Sequence, residues 1–189
     1  MSDERMGWPP FHRTFLADYD IFQIVRLDAV SPRTNEPVSF HGIEASDWVQ
    51  VVPVTPEGQF ILVEQFRPGA QVRSIEFPAG MIDGGESPEA AAGRELREET
   101  GYRCSQLLEL GLSYPNPAIQ TNRLHFWLAL DCVAASAPEL DAGEDVRVRL
   151  AAADEIDAMI QRGQINHSMV VTAWYFYGSW RSQRSASRT

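Results

Sequence analysis

Between Gly80 and Tyr102 the chain reads GMIDGGESPEAAAGRELREETGY, and within it Glu95, Glu98 and Glu99 stand at i, i+3 and i+4. On an α-helix that spacing puts three carboxylates on one face, about 5–6 Å from each other. Like charges so placed repel, and two arrangements relieve them. One is a solvated face on which Arg94 and Arg97 serve as partners. The other is a hard divalent cation, which takes carboxylate oxygens and keeps its remaining positions for water and for the phosphates of a substrate.

For either arrangement the helix must exist, and its ends are written in the sequence. Ser87 is a good N-cap, Pro88 suits the first helical position, and Gly101 suits the left-handed residue just past the end, so 88–100 is expected as one capped helix. Ala90, Ala91, Ala92 and Leu96 supply helix propensity and a buried stripe. Upstream, WVQVVPV (48–54) and FILVEQF (60–66) are expected as paired strands around the turn TPEGQ, and IEFPAG (75–80) as a strand running into the loop before the helix. Gly80 there allows a backbone approach that a side chain would block. Downstream, 104–113 and 122–132 are expected as strands separated by YPNPAIQT, and ELDAGEDVRVRLA puts Glu144 at the mouth of a short strand. ADEIDAMIQRG, ended by Gly163, and SMVVTAWYFYGSWRSQ, capped by Ser168, are expected as helices, and the last residues, SQRSASRT, as a disordered tail. From Asp20, IFQIVRLDAV and VSFHGIE form a hairpin around SPRTNEP. Trp8 and Trp48 suit either stacking on a nucleobase or packing in a core or dimer contact, the more ordinary use.

Gly80, then Glu86 after five residues, then Arg94-Glu95-Leu96-Arg97-Glu98-Glu99-Thr100-Gly101 after seven more, matches letter for letter the signature of the Nudix hydrolase family. By background residue frequencies such a match arises by chance with a probability on the order of 10⁻⁶. EQFRPG followed by IEFPAGMIDGGE resembles, more narrowly, the ADP-ribose and ADP-sugar pyrophosphatase branch, over residues 47 to 180. The resemblance implies an α+β Nudix fold, an α/β/α sandwich with a mixed β-sheet, over residues 47–183, with residues 1–46 as an N-terminal β extension and 184–189 as the tail. It implies Mg²⁺ or Mn²⁺ held by Glu95, Glu98, Glu99 and the backbone carbonyl of Ala79. Glu144 is implied as the base, with Asp141 or Glu98 as substitutes, and Arg94 as the residue that orients the carboxylates. Arg67, Glu76 and Asn116 are implied as substrate-binding, although a lone arginine after a strand is more often surface decoration.

The implied reaction is hydrolysis of a nucleoside diphosphate derivative, with ADP-ribose as first choice. GDP-mannose, another sugar nucleotide or a dinucleoside polyphosphate are alternatives, as is a non-catalytic nucleotide-binding regulator on the same fold. The chain departs from the branch in two places: the loop YPNPAIQT offers Asn116, Gln120 and Asn122 where an acidic residue is common, and Ala142 stands where some members have a further glutamate. A homodimer is implied by the branch alone.

Bulk properties place the chain in the soluble, globular class, and an acidic enzyme can still bind a phosphate ester where metal ions and a few local arginines invert the field. The 189 residues suit one domain with an extension, and 44% hydrophobic residues suffice for a core. A net charge of −10 argues against non-specific binding to nucleic acid or anionic membranes. All 16 basic residues are arginine. Residues 1–19 lack the apolar stretch of a signal peptide, and no apolar run is long enough to span a membrane, so a cytoplasmic location is expected. Cys104 and Cys132 have no metal-binding spacing and are expected as a reduced pair.

Overall fold

The computed structural model describes residues 6–140 and 145–186. Two compact units are present, one of Met1–Ser46 with Tyr114–Arg123, the other of Asp47–Ser113 with Leu124–Thr189.

The first unit is built on an antiparallel sheet in the order β1 (His12–Asp18), β2 (Gln23–Val30), β3 (Pro37–Glu44). The sequence reading expected only the β2–β3 hairpin. β1 escaped it because HRTFLAD shows no clean alternation of buried and exposed residues, and its pairing with β2 slips at a bulge between Phe15 and Ala17. Trp8 stacks on Phe11 and meets Phe40 edge-on, both at 5.7 Å between ring centroids, so here it packs within its own unit. The loop Tyr114–Arg123 joins the same unit through Ile43, whose N–H donates to the Ile119 carbonyl at 2.6 Å and whose carbonyl accepts from the Thr121 N–H at 3.1 Å. Tyr114–Arg123 thus groups with the N-terminal sheet and not with the strands on either side of it.

The second unit is a sandwich. Its mixed sheet runs in the order β7 (Ala79–Met81), β4 (Trp48–Pro53), β10 (Leu124–Leu130), β9 (Gln106–Ser113), with β4 and β10 parallel and the other pairs antiparallel. A second antiparallel sheet runs β12 (Arg147–Ala151), β5 (Phe60–Arg67), β6 (Val72–Glu76). Two short strands, β8 (Tyr102–Arg103) and β11 (Val133–Ala134), pair antiparallel.

The central strands are apolar on both faces, and each face has its own cover. Val49, Val51, Ile61 and Ala129 pack on Ala91, Ala92 and Leu96 of α1 (Pro88–Thr100). Val52, Leu62, Phe126 and Leu128 pack with Ile156 and Met159 of α2 (Ala153–Gln161) and with Val170 and Ala173 of α3 (Ser168–Ala186). Trp48 lies against this second cluster. A strand buried on both sides reads as a continuous apolar run, as Phe60-Ile61-Leu62-Val63 does in β5.

α3 differs from expectation at both ends. Ser168 is its first helical residue, and the cap is His167, whose Nδ1 accepts from the Met169 N–H at 3.3 Å. The helix continues through Arg184, Ser185 and Ala186, where a disordered tail was expected. Arg184 lies over the Trp180 ring at 5.0 Å, one turn apart, which gives this polar end a partner. No helix among the described residues is long and apolar enough to cross a membrane.

Candidate active site

α1 has the ends its sequence specifies. The Ser87 side chain accepts from the Ala90 N–H, Pro88 begins the helix, and Gly101 at φ 73° closes it with its N–H donating to the Arg97 carbonyl. One face of α1 is drawn onto the sheet by Ala91, Ala92 and Leu96. Glu95 and Glu99 share that side and are 9% and 4% exposed, whereas surface carboxylates are ordinarily hydrated. Burying two acids on one helix face is costly unless each finds partners.

Those partners come from the loop and strand before the helix. Ala79 donates its N–H to Glu99 Oε2 at 3.1 Å. Arg94 is the centre of a network: Nε and Nη2 donate to Glu86 Oε1 and Oε2 at 3.1 and 3.0 Å, Nη2 also to the Met81 carbonyl at 2.8 Å, and Nη1 to Glu95 Oε1 and Glu98 Oε2 at 2.7 and 3.1 Å. Arg97 Nη2 donates to the other oxygen of Glu98, Oε1, at 3.1 Å. One guanidinium thus ties the loop to two of the three carboxylates, using the fork geometry that suits arginine and not lysine. Its hydrogen bonds to Glu86 above all, and then to Glu95 and Glu98, raise the Arg94 pKa further above its usual value. The same contact with Arg94 holds the Glu86 carboxyl below the usual range.

Gly80 makes the arrangement sterically possible. It pairs with Val49 across β7 and β4, and a Cβ built on it would lie 2.5 Å from Glu95 Oε2 and closer still to Oε1 and Cδ. No real Cβ comes so near, so any other residue would push the Glu95 carboxylate away from the β7 backbone.

The donors gathered here are all oxygens, as a hard cation requires. Glu95 lies against the Gly80 backbone, where a Cβ would displace it, and Glu99 accepts from the Ala79 N–H. In kind, therefore, Glu95, Glu98, Glu99 and the Ala79 carbonyl fit a divalent ion. Among the described residues no three acids, histidines or cysteines stand together as a ready-made coordination group. The carboxylates are engaged by Arg94, Arg97 and the Ala79 N–H.

The other expected residues fall in three places. Arg67 and Glu76 are brought together: Arg67 Nε and Nη2 donate to Glu76 Oε1 and Oε2 at 2.8 and 2.7 Å, with Glu76 fully buried and the Arg67 side chain 37% exposed. Burial pushes the Glu76 carboxyl up, but the Arg67 hydrogen bonds and charge, helped by His167 and Ser74, outweigh it and leave the pKa below the usual value. Asn116 belongs to the other unit, where its carbonyl accepts from the Ile119 and Gln120 N–H groups at 3.1 and 2.8 Å. Glu144 and its substitute Asp141 lie outside the described residues.

Sequence reasoning missed two partners in the network. Glu86 was read only as a letter flanking the helix, and the Met81 carbonyl was not considered. Helical spacing links residues three or four apart, and it carries no signal for a contact that bridges eight residues across a loop. The fixed distance from Glu86 to Arg94 was the available clue.

Comparison with known proteins gives four matches. A family model described as "NUDIX domain" matches residues 44–173. The chain is 41% identical over 101 residues to the ADP-ribose pyrophosphatase of Bacillus subtilis, covering 53% of this chain and 55% of that one, so the match spans about half of each. It is 33% identical over 126 residues to the methanol dehydrogenase activator of Bacillus methanolicus, covering 66% of this chain and 68% of that one. A solved structure titled "Crystal structure of ADP compounds hydrolase" superposes with a TM-score of 0.80 over 93% of this chain and 96% of that one, at 20% identity, which shows a shared fold.

Proposed function

The chain belongs to the Nudix family, and from that premise we propose that it hydrolyses the diphosphate bond of a nucleoside diphosphate derivative, with ADP-ribose as the substrate and AMP and ribose 5-phosphate as products. The observation that carries this reading is the buried carboxylate face of α1, with Gly80 cleared for Glu95 and Arg94 spanning Glu86, Glu95 and Glu98. A pure nucleotide-binding protein has no use for three acids crowded at that cost. The relative from Bacillus subtilis supports ADP-ribose in particular.

Nudix hydrolases generally use divalent metal ions, and Mg²⁺ or Mn²⁺, when bound, supplies charge neutralisation of the diphosphate oxygens and an acidified water. Glu95, Glu98, Glu99 and the Ala79 carbonyl are the residues assigned to hold it. Arg94 keeps Glu95 and Glu98 in register with the loop, so their approach needs little reordering. Glu144 is assigned as the base that takes the water's proton, with Asp141 or Glu98 as substitutes. Arg67, bound through two hydrogen bonds to Glu76, presents its partly exposed side chain to a phosphate or ribose, and a substrate contact by Asn116 is assigned by the family resemblance alone. Phe15, Leu16 and Phe40 on the N-terminal sheet, with Tyr19 and Ile21 in the β1–β2 turn, are all exposed and support a homodimer.

The test is a hydrolysis panel with Mg²⁺ or Mn²⁺ over ADP-ribose, other ADP-sugars, GDP-mannose, UDP-glucose and diadenosine polyphosphates, with products identified. The expected result is fastest turnover of ADP-ribose and none with EDTA. Tight binding of one compound with turnover of none would replace this reading by that of a regulator.

A further inference from the structure

Cys104 and Cys132 are the chain's two cysteines, and the candidate site uses neither. Strand register places them together. β8 and β11 pair antiparallel with Arg103 opposite Val133 and Tyr102 opposite Ala134. The same register resumes beyond them with Gln106 opposite Leu130, past a kink where Asp131 takes φ 53° and the Ser105 N–H donates to the Leu130 carbonyl, so Cys104 and Cys132 fall opposite each other between the two ladders. The hydrogen bonds say which kind of pair this is. The Ala135 N–H donates to the Gly101 carbonyl at 2.9 Å, so in an antiparallel ladder the pairs alternate from there and Cys104–Cys132 falls on a non-hydrogen-bonded position. The Cys132 N–H agrees, because it points away from β8 and donates to the Val54 carbonyl at 2.9 Å.

Non-hydrogen-bonded antiparallel pairs bring their Cα atoms to about 4.5 Å, with side chains on the same face. A disulfide spans Cα separations of roughly 4.4–6.8 Å. Both side chains also belong to the apolar cluster under α1. From this we infer that Cys104 and Cys132 are a site of reversible oxidation, forming an intramolecular cross-strand disulfide when the protein meets a peroxide.

The chemistry needs only the oxidant. Cys104, the more exposed thiol, loses its proton and attacks a peroxide oxygen, giving a sulfenic acid and releasing water. Cys132 then gives up its proton and attacks that sulfur, expelling a second water and closing the S–S bond. Two thiols and one peroxide become one disulfide and two waters. Cys132 Sγ now donates to the Ala129 carbonyl at 3.4 Å, a weak bond that is lost when the side chain turns to Cys104. Burial raises both thiols, Cys132 to about 12, and a charge on Cys104 raises Cys132 further. Few thiolates form at neutral pH, so the pair oxidises slowly and responds to sustained oxidant exposure.

The consequence is mechanical. β11 leads into the segment that clasps the end of α1, where Ala135 and Ser136 donate to the Gly101 carbonyl and Glu139 donates to the Glu98 carbonyl. A cross-link between Cys104, which follows β8, and Cys132 ties that segment to the carboxylate helix.

The test uses the full-length protein incubated with hydrogen peroxide, quenched with N-ethylmaleimide and analysed by intact mass and non-reducing peptide mapping. The expected result is a monomer that has lost two hydrogens, takes up no maleimide on unfolding, yields a Cys104–Cys132 cross-linked peptide, and reverts with dithiothreitol. Its thermal midpoint rises by on the order of 5–10 °C, and the rise is absent in Cys104→Ser. That variant leaves the buried residue intact and so keeps the fold. Two thiols that remain titratable while the sulfur of surface methionines oxidises, a disulfide between two chains, or Cys104 carried on to its sulfinic acid in the wild type would each overturn the proposal.

Discussion

Gly80→Ala is the sharpest perturbation of the site, because it adds one carbon and removes nothing. That carbon would overlap the Glu95 carboxylate, 2.5 Å from Oε2 and nearer to the other two atoms. β7 cannot retreat, since Gly80 pairs with Val49, which is fully buried. The carboxylate, at the end of a flexible side chain, must swing away and lose its 2.7 Å bond from Arg94 Nη1. A hydrogen bond to a charged group contributes about 1.5–3 kcal/mol. Against this, Gly80 does not occupy the left-handed region, so alanine should return about 0.4–1 kcal/mol by restricting the unfolded chain. The net cost is about 1–2 kcal/mol, a fall in thermal midpoint of roughly 2–8 °C for a domain of this size. Activity should suffer far more, because a reacting geometry displaced by about 1 Å can cost 10²-fold. Scanning fluorimetry, together with steady-state ADP-ribose hydrolysis titrated with Mg²⁺, separates the two effects. A folded Gly80→Ala protein with wild-type kcat and wild-type Mg²⁺ half-saturation would refute the assignment of Glu95 to the cation.

Glu99→Gln keeps an acceptor for the Ala79 N–H and should stay folded while its rate falls by about 10²-fold or more; near-normal turnover would remove Glu99 from the metal set, and Glu98→Gln is expected to behave alike. Arg67→Ala leaves the fully buried Glu76 without its main partner, which should cost about 3–5 kcal/mol at neutral pH. The sign with pH is specific. In the wild type the depressed Glu76 pKa contributes stability that is present above its unfolded value of about 4.3 and is lost as pH falls through the folded one. In the variant, burial, the largest influence on Glu76, loses its main counterweight and raises the folded pKa, so stability falls as pH rises above about 4.3. The gap between the two in urea midpoint should therefore widen from pH 4 to pH 7, and a constant gap would show that the pair contributes nothing electrostatic. Iodoacetamide at neutral pH should label Cys104 before Cys132, whose thiol is raised to about 12, and peptide mapping after short exposure reads the order directly.

How much of this was legible in the sequence depends on how far apart the causes lie. α1 was readable to the residue, because Ser87, Pro88 and Gly101 each act on backbone groups within one turn. The three glutamates were readable as one face for the same reason, since the helical repeat alone sets their spacing. The strands of the second unit announced themselves as apolar runs, and the family signature added the chemistry. β1 was not readable, as its partner β2 stabilises it and its own pattern does not.

What only the tertiary structure decided are the contacts that cross from one element to another. Nothing local says that Arg94 spends its donors on Glu86, Met81, Glu95 and Glu98, that the Arg67 guanidinium locks onto a buried Glu76, or that Tyr114–Arg123 folds with the N-terminal sheet. Nor does local sequence say that a Cβ at Gly80 would strike Glu95 fifteen residues on, or that β8 and β11 set Cys104 against Cys132. The physical reason is the reach of the forces involved. Capping and periodicity act over a few residues of backbone, whereas burial, ion pairing and strand register depend on which surfaces the whole chain brings together.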